Sequence, residues 1–179
     1  VSTAMFPSGH PATREGLVYD ESRWDGKTCL EYTPDGKMLD IREDKKKVGA
    51  FLNPVRKDVR KFALSIVREI VRNYDVDAYA LDYCRYPGDD SDFSADSRKA
   101  FEHYLGKKVR NFPDDIFTWN ADGTKNPGIY YKEWWAFRAN VITSFVKEVR
   151  KEIHSINNKV KLEYWAASWT HGIYGPGQN

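Results

Sequence analysis

The sequence has no long apolar run and only two cysteines. No window approaches the roughly 18 consecutive apolar residues that a membrane-spanning helix needs, so we expect no transmembrane segment. The opening residues 1–7 have neither a charged region nor a long apolar core, and no signal peptide is visible there. Cys29 lies in a predicted loop and Cys84 at a predicted strand end, which favours two free thiols over one bridge.

Neither sign of charge is in excess. The 179 residues include 28 basic and 26 acidic side chains, for a net charge of +2. This balance creates no strong field to attract phosphate backbones or anionic membranes, so we expect no nucleic-acid partner. The basic runs at 44–47 and 57–61 are interpreted as solvated faces.

Several motifs of well-known enzyme classes are also missing. No spacing of His, Cys and Asp fits a common zinc site, and there is no Gly-rich phosphate loop. No Gly-x-Ser-x-Gly elbow occurs either. The sequence therefore predicts no metal and no cofactor, and it argues against serine hydrolases of that type, common zinc enzymes and P-loop enzymes.

Aromatic side chains are abundant, at 15% of the chain with six Trp and eleven Tyr. Their flat faces can stack on sugars or on nucleobases, but nucleobase binding lacks the phosphate attraction it needs here. A carbohydrate ligand is therefore favoured, although a large core would also use many aromatics. Several of them fall in predicted loops or strand ends: Trp24, Tyr32, Trp119, Trp165, Trp169 and Tyr174.

Apolar periodicity predicts strands that alternate with amphipathic helices. Such alternation is typical of a parallel sheet with right-handed crossovers. A hairpin is expected around the turn at 33–36, within a long loop or hairpin insertion near the N-terminus. Strands are predicted at 1–7, 76–83 and 160–168, and helices at 53–73, 94–105 and 131–156, with Asn53 and Ser94 as caps and Gly106 as a stop.

This element order is that of an α/β protein built from the βα units of a (β/α)₈ barrel. A closed barrel needs about 250 residues, and 200 at least, so the chain is too short to hold all eight units. We therefore expect residues 1–179 to form a single domain, an incomplete barrel of roughly the third to fifth βα units.

Asp82 is the first candidate for chemistry, because it ends a predicted buried strand. Chemistry in α/β folds is usually placed at the carboxyl ends of strands. Alternation puts Ala78, Ala80, Asp82 and Cys84 on one face, where small residues suit a barrel interior. The alternative is that Asp82 caps the following turn or pairs with Arg85.

Glu163 is the second candidate, in mid-strand on the same predicted face as Trp165. An ionised Glu there must be paired or solvated by a cleft, because isolated burial is costly. A basic partner within the barrel, or an outward edge position, is the alternative. Two carboxylates are what glycoside cleavage requires. His10 and His171 lie in predicted loops beyond strands and could bind a sugar hydroxyl or be ordinary surface residues.

Three segments carry a family resemblance: Phe51-Leu52-Asn53-Pro54, the run from Arg68 to Ala78 that contains Tyr74-Asp75-Val76-Asp77, and Leu81-Asp82-Tyr83-Cys84-Arg85-Tyr86-Pro87. Together they resemble the bacterial family-10-like glycosyl hydrolases, a group with a (β/α)₈ barrel. The match is good over about 40 residues and weaker through the last strand. Two departures are Ala78, where the family usually has Gly, and the short length.

The resemblance implies a hydrolase that acts on an oligosaccharide or polysaccharide, with Asp82 at the end of about the fourth barrel strand and Arg85 beside it. The strand that holds Glu163 would be the next one. Residues expected to line the sugar subsites are Tyr83, Arg85, His10, Trp165, Trp169 and His171. Members of the group are often exported, which favours a periplasmic or secreted location. Because the chain is shorter than a barrel, the remainder of a larger chain is an expected partner.

Other functions remain open. A non-catalytic carbohydrate-binding module would keep the aromatic surface without turnover, and an inactive barrel fragment would keep only the fold. A helix-rich scaffold, with its aromatics in the core, is the third alternative.

Overall fold

A computed structural model describes residues 1–166 and 177. Its helices are α1 (Leu17–Asp20), α2 (Lys57–Asn73), α3 (Ala95–Leu105) and α4 (Tyr131–Ile156), with 3-10 turns at Ser22–Trp24 and Ile41–Glu43. Its strands are β1 (Ser2–Ala4), β2 (Leu30–Tyr32), β3 (Met38–Asp40), β4 (Ala78–Asp82), β5 (Phe117–Trp119), β6 (Lys125–Pro127) and β7 (Lys161–Tyr164).

A parallel sheet with strand order β1-β4-β7 forms the centre, and β2-β3 and β5-β6 are separate antiparallel ribbons. Leu81 of β4 pairs with Thr3 on one side and with Tyr164 on the other. The predicted parallel α/β arrangement is confirmed at this level. The sheet is small, and its outer strands β1 and β7 have no further neighbour within the described residues.

One face of the sheet is buried against the long helices. Tyr79 and Leu81 are fully buried and share a hydrophobic cluster with Val67 of α2 and Val149 of α4. These two helices also pack against each other. The long helix follows from its apolar stripe, and the prediction of 131–156 is confirmed at both ends.

The opposite face of the sheet is the open one. Ser2, Ala4 and Glu163 are exposed there, because they alternate with residues that point toward the helices. Ala80 stays buried on this side, and Asp82 is half-buried. The strand face with small side chains and carboxylates is thus not covered by α2 or α4.

Two helix boundaries show where local signals succeed and fail. Ser94 caps α3 by accepting from the Ser97 N–H at 3.3 Å, and Gly106 ends it in the left-handed conformation, both as predicted. The prediction that Asn53 caps α2 is wrong. Asn53 instead accepts from the Val55 N–H at 3.0 Å in a turn, and the helix begins only at Lys57.

Two long excursions leave the sheet at the carboxyl ends of its strands. Residues 5–56 follow β1 and residues 83–130 follow β4, so both lie between the end of a strand and the helix that returns the chain. They are joined by backbone hydrogen bonds from Tyr32 N to Asp90 O at 2.8 Å and from Phe93 N to Leu30 O at 2.9 Å. The long loop and hairpin expected near the N-terminus is therefore half of a larger unit above one edge of the sheet.

Asp92 is the central polar residue of this unit. Its buried carboxylate accepts from the Leu30 N–H at 2.5 Å, from Asn53 Nδ2 at 2.5 Å, and from the hydroxyls of Ser94 and Ser97 at 2.5 and 2.6 Å. Burial raises the pKa of Asp92, while these donors lower it. The carboxylate thereby ties both excursions to the start of α3.

We expect the substitution Asp92→Ala to lower the free energy of unfolding by about 3 kcal/mol, because several buried donors lose their acceptor at once. Urea unfolding followed by circular dichroism measures this loss. Asp75→Ala, at an exposed position, is the control and should change stability by less than about 0.5 kcal/mol. A loss at Asp92 no larger than that of the control would contradict the assignment.

Candidate functional site

Asp82 lies at the carboxyl end of the central strand, half-buried on the open face of the sheet. One carboxylate oxygen accepts from the Tyr83 N–H at 2.8 Å, so the turn-capping alternative is realised in part. No ion pair joins Asp82 to Arg85 among the described residues, so the expected pairing alternative is absent there. Asp82 is therefore held by the backbone N–H of the next residue, and no basic side chain among the described residues forms an ion pair with it.

Tyr83 explains why the strand stops at this point. Its φ is +46°, in the left-handed region that bulky residues rarely adopt. Such strain often accompanies functional sites. Because the strand ends at Asp82, the prediction that Cys84 shares the face of Asp82 is wrong: Cys84 is fully buried. Both Cys84 and Cys29 are free thiols, as expected.

Arg85 is fixed by groups other than a carboxylate. Its Nη1 donates to the carbonyls of Tyr86 and Pro87 at 3.0 and 3.4 Å. The guanidinium lies 4.9 Å from the ring centroid of Tyr83 and 5.7 Å from that of Phe51. Burial lowers the pKa of Arg85, although the group stays protonated at neutral pH. It presents an immobilised cation at the end of β4.

Glu163 and Asp82 share one face of neighbouring strands. Glu163 pairs with Ala80, and Asp82 lies two residues beyond Ala80 in the same alternation. Strand spacing and rise place the two Cα atoms about 8 Å apart. Glu163 is exposed, so the expected alternative of a basic partner sealed inside the sheet does not describe it.

Trp165 lies directly after β7, at the same end of the sheet as Asp82. Its N–H donates to Leu81 O at 3.1 Å, which continues the ladder one residue past β7, and its side chain is 68% exposed. By contrast Trp24 and Tyr32, also considered as ligand-facing aromatics, are buried in the core. Trp165 is thus a large aromatic surface close to the strand end that carries Asp82.

The remaining predicted site residues are His10, Trp169 and His171. His10 is exposed in the excursion after β1, where its backbone N–H donates to the backbone carbonyl of Glu15 at 2.8 Å. Trp169 and His171 lie outside the described residues, as does the end of the strand predicted at 160–168. Within the described part of the chain, no group of three His, Cys, Asp or Glu side chains has an arrangement that would hold a metal ion.

Arg138 is a residue of this region that sequence reasoning missed. It is fully buried, donates through Nη2 to Gly88 O, and lies 4.3 Å from the ring centroid of Tyr86 and 4.7 Å from that of Trp135. Burial lowers its pKa to about 10. It anchors the loop that leaves β4. The sequence feature that could have revealed its burial is its position four residues after Trp134, on the apolar stripe of α4.

Glu31 is the second missed residue. It is buried where β2 meets Ser91, and its carboxylate lies 2.6 Å from Lys47 Nζ, which also contacts Asp90 at 2.9 Å. Burial raises the pKa of Glu31 to about 7, against the opposing effect of Lys47. No local pattern reveals this, because Ser91 and Asp90, which cover Glu31, are distant in sequence.

The raised pKa of Glu31 predicts a pH dependence of stability. The folded protein binds this proton more tightly than the unfolded chain, so stability should fall as the pH rises from about 4.5 to about 7. The contribution is roughly 3 kcal/mol. Urea unfolding at a series of pH values should give a flatter profile for Glu31→Gln than for the parent chain. Parallel profiles would show that Glu31 does not titrate in this range.

Comparison with known proteins agrees with the resemblance noted from the motifs. The family model for glycosyl hydrolase-like 10 matches residues 39–170. An S-layer-related protein of Niallia circulans is 33% identical over 97% of the chain. The chain spans only 11% of the length of that relative. The chain belongs to the glycosyl hydrolase-like 10 family.

Proposed function

We propose that this chain carries the active-site strands of a glycoside hydrolase, with Asp82 and Glu163 as its two catalytic carboxylates. The observation that carries the proposal is their position: both lie on the open face of adjacent parallel strands, beside the exposed ring of Trp165. One carboxyl group donates a proton to the leaving oxygen, and the other attacks the sugar or activates water.

The surrounding side chains fit sugar binding. Trp165 offers a flat face for stacking, and Arg85 offers guanidinium donors held in place by backbone carbonyls. Tyr83 and His10 lie at the same end of the strands. Trp169 and His171 are proposed as further subsite residues. The substrate class is an oligosaccharide or a polysaccharide.

The larger architecture is part of the proposal. We infer that β1, β4 and β7 are roughly the third to fifth strands of a (β/α)₈ barrel, within one domain over 1–179, which other segments of a longer polypeptide would close. Support comes from the parallel order of the strands and from the two excursions at their carboxyl ends, where barrel enzymes place their sites.

The proposed location is outside the cell or at its surface. The relative is named an S-layer-related protein, which fits a secreted role. No helix in the described part of the chain combines the length and apolarity needed to cross a membrane.

Hydrolysis of a glycan panel tests the function. Neutral, amino and acidic polysaccharides are incubated with this chain and, in parallel, with a longer protein that contains it, and new reducing ends are counted. Release by the longer protein from at least one glycan supports the proposal. No release from any glycan by either protein would reject it.

A non-catalytic carbohydrate-binding module is the second candidate, favoured by the exposure of Trp165. The two candidates differ in one measurement. A binding module would shift Trp fluorescence on addition of oligosaccharide and release no product, and binding would be unchanged in Asp82→Asn.

Trp165→Ala should raise KM for the substrate roughly three- to tenfold and leave kcat within about twofold, because stacking acts in both the ground and transition states. Steady-state kinetics on the best glycan of the panel measures this. Trp119→Ala is the control, since Trp119 is half-buried and donates through Nε1 to Tyr32 O at 3.1 Å within the excursions. An unchanged KM in Trp165→Ala would remove the stacking role.

A further inference from the structure

A groove on the surface of α3 has an excess of unpaired positive charge. Two concavities, of about 470 and 590 Å³, share Lys99 and His103 in their walls and therefore adjoin; together they are called the α3 groove. None of the described residues of the candidate catalytic site lines it. The basic side chains of the α3 groove are Arg56, Lys57, Lys99, His103, Lys107 and Lys108.

The acidic side chains of the α3 groove already have partners. Asp96 pairs with Arg56, and Asp58 pairs with Arg56 and with Lys27 at 3.1 and 3.0 Å. Glu102 lies 2.7 Å from Lys108 Nζ. These carboxylates therefore offset Arg56 and Lys108, and none of their described ion pairs involves Lys57, Lys99 or Lys107.

Lys57, Lys99 and Lys107 form no ion pair with any described residue, and all three are exposed. Lys107 Nζ lies 4.8 Å from the ring centroid of Tyr130, which fixes its position without neutralising its charge. Ammonium groups along one groove repel one another, and an extended polyanion would relieve that repulsion.

The lining also discriminates between polyanions. Among the described residues, no Phe, Tyr or Trp lines either concavity, and the imidazole of His103 is the one ring there, so the large ring faces on which successive nucleobases stack are missing. The paired carboxylates of Asp58, Asp96 and Glu102 keep lone pairs that can accept hydrogen bonds from hydroxyl groups. Cations beside such acceptors match a ligand that carries both carboxylates and hydroxyls.

We propose that the α3 groove is a second binding site, which takes an acidic polysaccharide of uronate type and is separate from the proposed catalytic face. The site does not depend on hydrolytic activity. It would hold an anionic glycan along the outside of the fold while the open face of the sheet remains free.

Binding of polygalacturonate to the purified chain tests the site, measured by calorimetry at low salt, with dextran as the neutral comparison. The double variant Lys99→Glu/Lys107→Glu should bind polygalacturonate at least about tenfold more weakly, since two attractions become repulsions. Added salt should weaken parental binding. Lys45→Glu/Lys46→Glu carries the same charge change on exposed lysines outside the groove and should stay within about twofold.

Thermal unfolding of both double variants checks that each remains folded. Several results would overturn the proposal: no binding by the parental chain, equal weakening in the control pair, or binding to dextran as tight as to polygalacturonate. Equal affinity for single-stranded DNA would show a general polyanion surface instead. Loss of polygalacturonate binding in Trp165→Ala would locate the ligand on the open face of the sheet and so reject the α3 groove.

Discussion

Replacement of Asp82 by Asn is expected to reduce glycan hydrolysis by a factor of about 10³ or more. An amide can neither donate a proton as an acid nor attack a sugar as a nucleophile. The variant should fold normally, because the amide oxygen of Asn can still accept from the Tyr83 N–H as Asp82 does at 2.8 Å. Initial rates of reducing-end release, with circular dichroism as the check on folding, measure the effect.

Asp77→Asn is the matched control for this experiment. Asp77 lies immediately before β4, at the opposite end of the same strand, where its carbonyl accepts from the Lys161 N–H at 3.0 Å. The substitution should leave the rate within about twofold. Full activity in Asp82→Asn would remove Asp82 from the mechanism, whatever the control shows.

Glu163→Ala should also reduce hydrolysis, by a factor of about 10² to 10⁴, if Glu163 is the partner of Asp82. Glu163 is exposed on the open face, so the shorter side chain leaves no cavity and should not affect folding. Rate measurements with and without added azide then separate the two possible roles of Glu163. A small anion can take the place of a missing nucleophile.

In the azide experiment, formation of a glycosyl azide with inverted configuration at the anomeric carbon would identify Glu163 as a nucleophile. Recovery of the rate only with substrates that have good leaving groups would identify it as the acid. Lys161→Ala, on the same strand and face, is the control and should remain active. Activity of Glu163→Ala equal to that of the control would move the second carboxylate to another strand.

The repeating patterns of the sequence predicted much of the fold. The amphipathic stripe of α4 set both of its ends, and the alternation around Asp82 placed that carboxylate on the face away from the helices. Ser94 and Gly106 delimited α3, since a cap acts on backbone groups only three or four residues away. Each of these predictions depended on near neighbours.

One error arose where a distant residue competes for the same group, and another where the backbone adopts an unusual conformation. Asn53 was predicted to cap a helix, but its side-chain amide donates to Asp92, which is 39 residues away. Cys84 was assigned to the face of Asp82, but the left-handed Tyr83 ends the alternation. The motif that carried the family resemblance was nonetheless sufficient, and the family match over residues 39–170 confirms it.

The sequence by itself determined the order of the three sheet strands and the three longer helices, the parallel class of the sheet and the family, because periodicity, caps and motifs are encoded within short segments. Only the tertiary structure decided which polar groups are buried away from solvent. Glu31, Asp92 and Arg138 are buried by residues far along the chain, and the uncovered face of β4 and β7 is defined by where α2 and α4 pack. Desolvation depends on every atom around a group, and a local pattern does not contain those atoms.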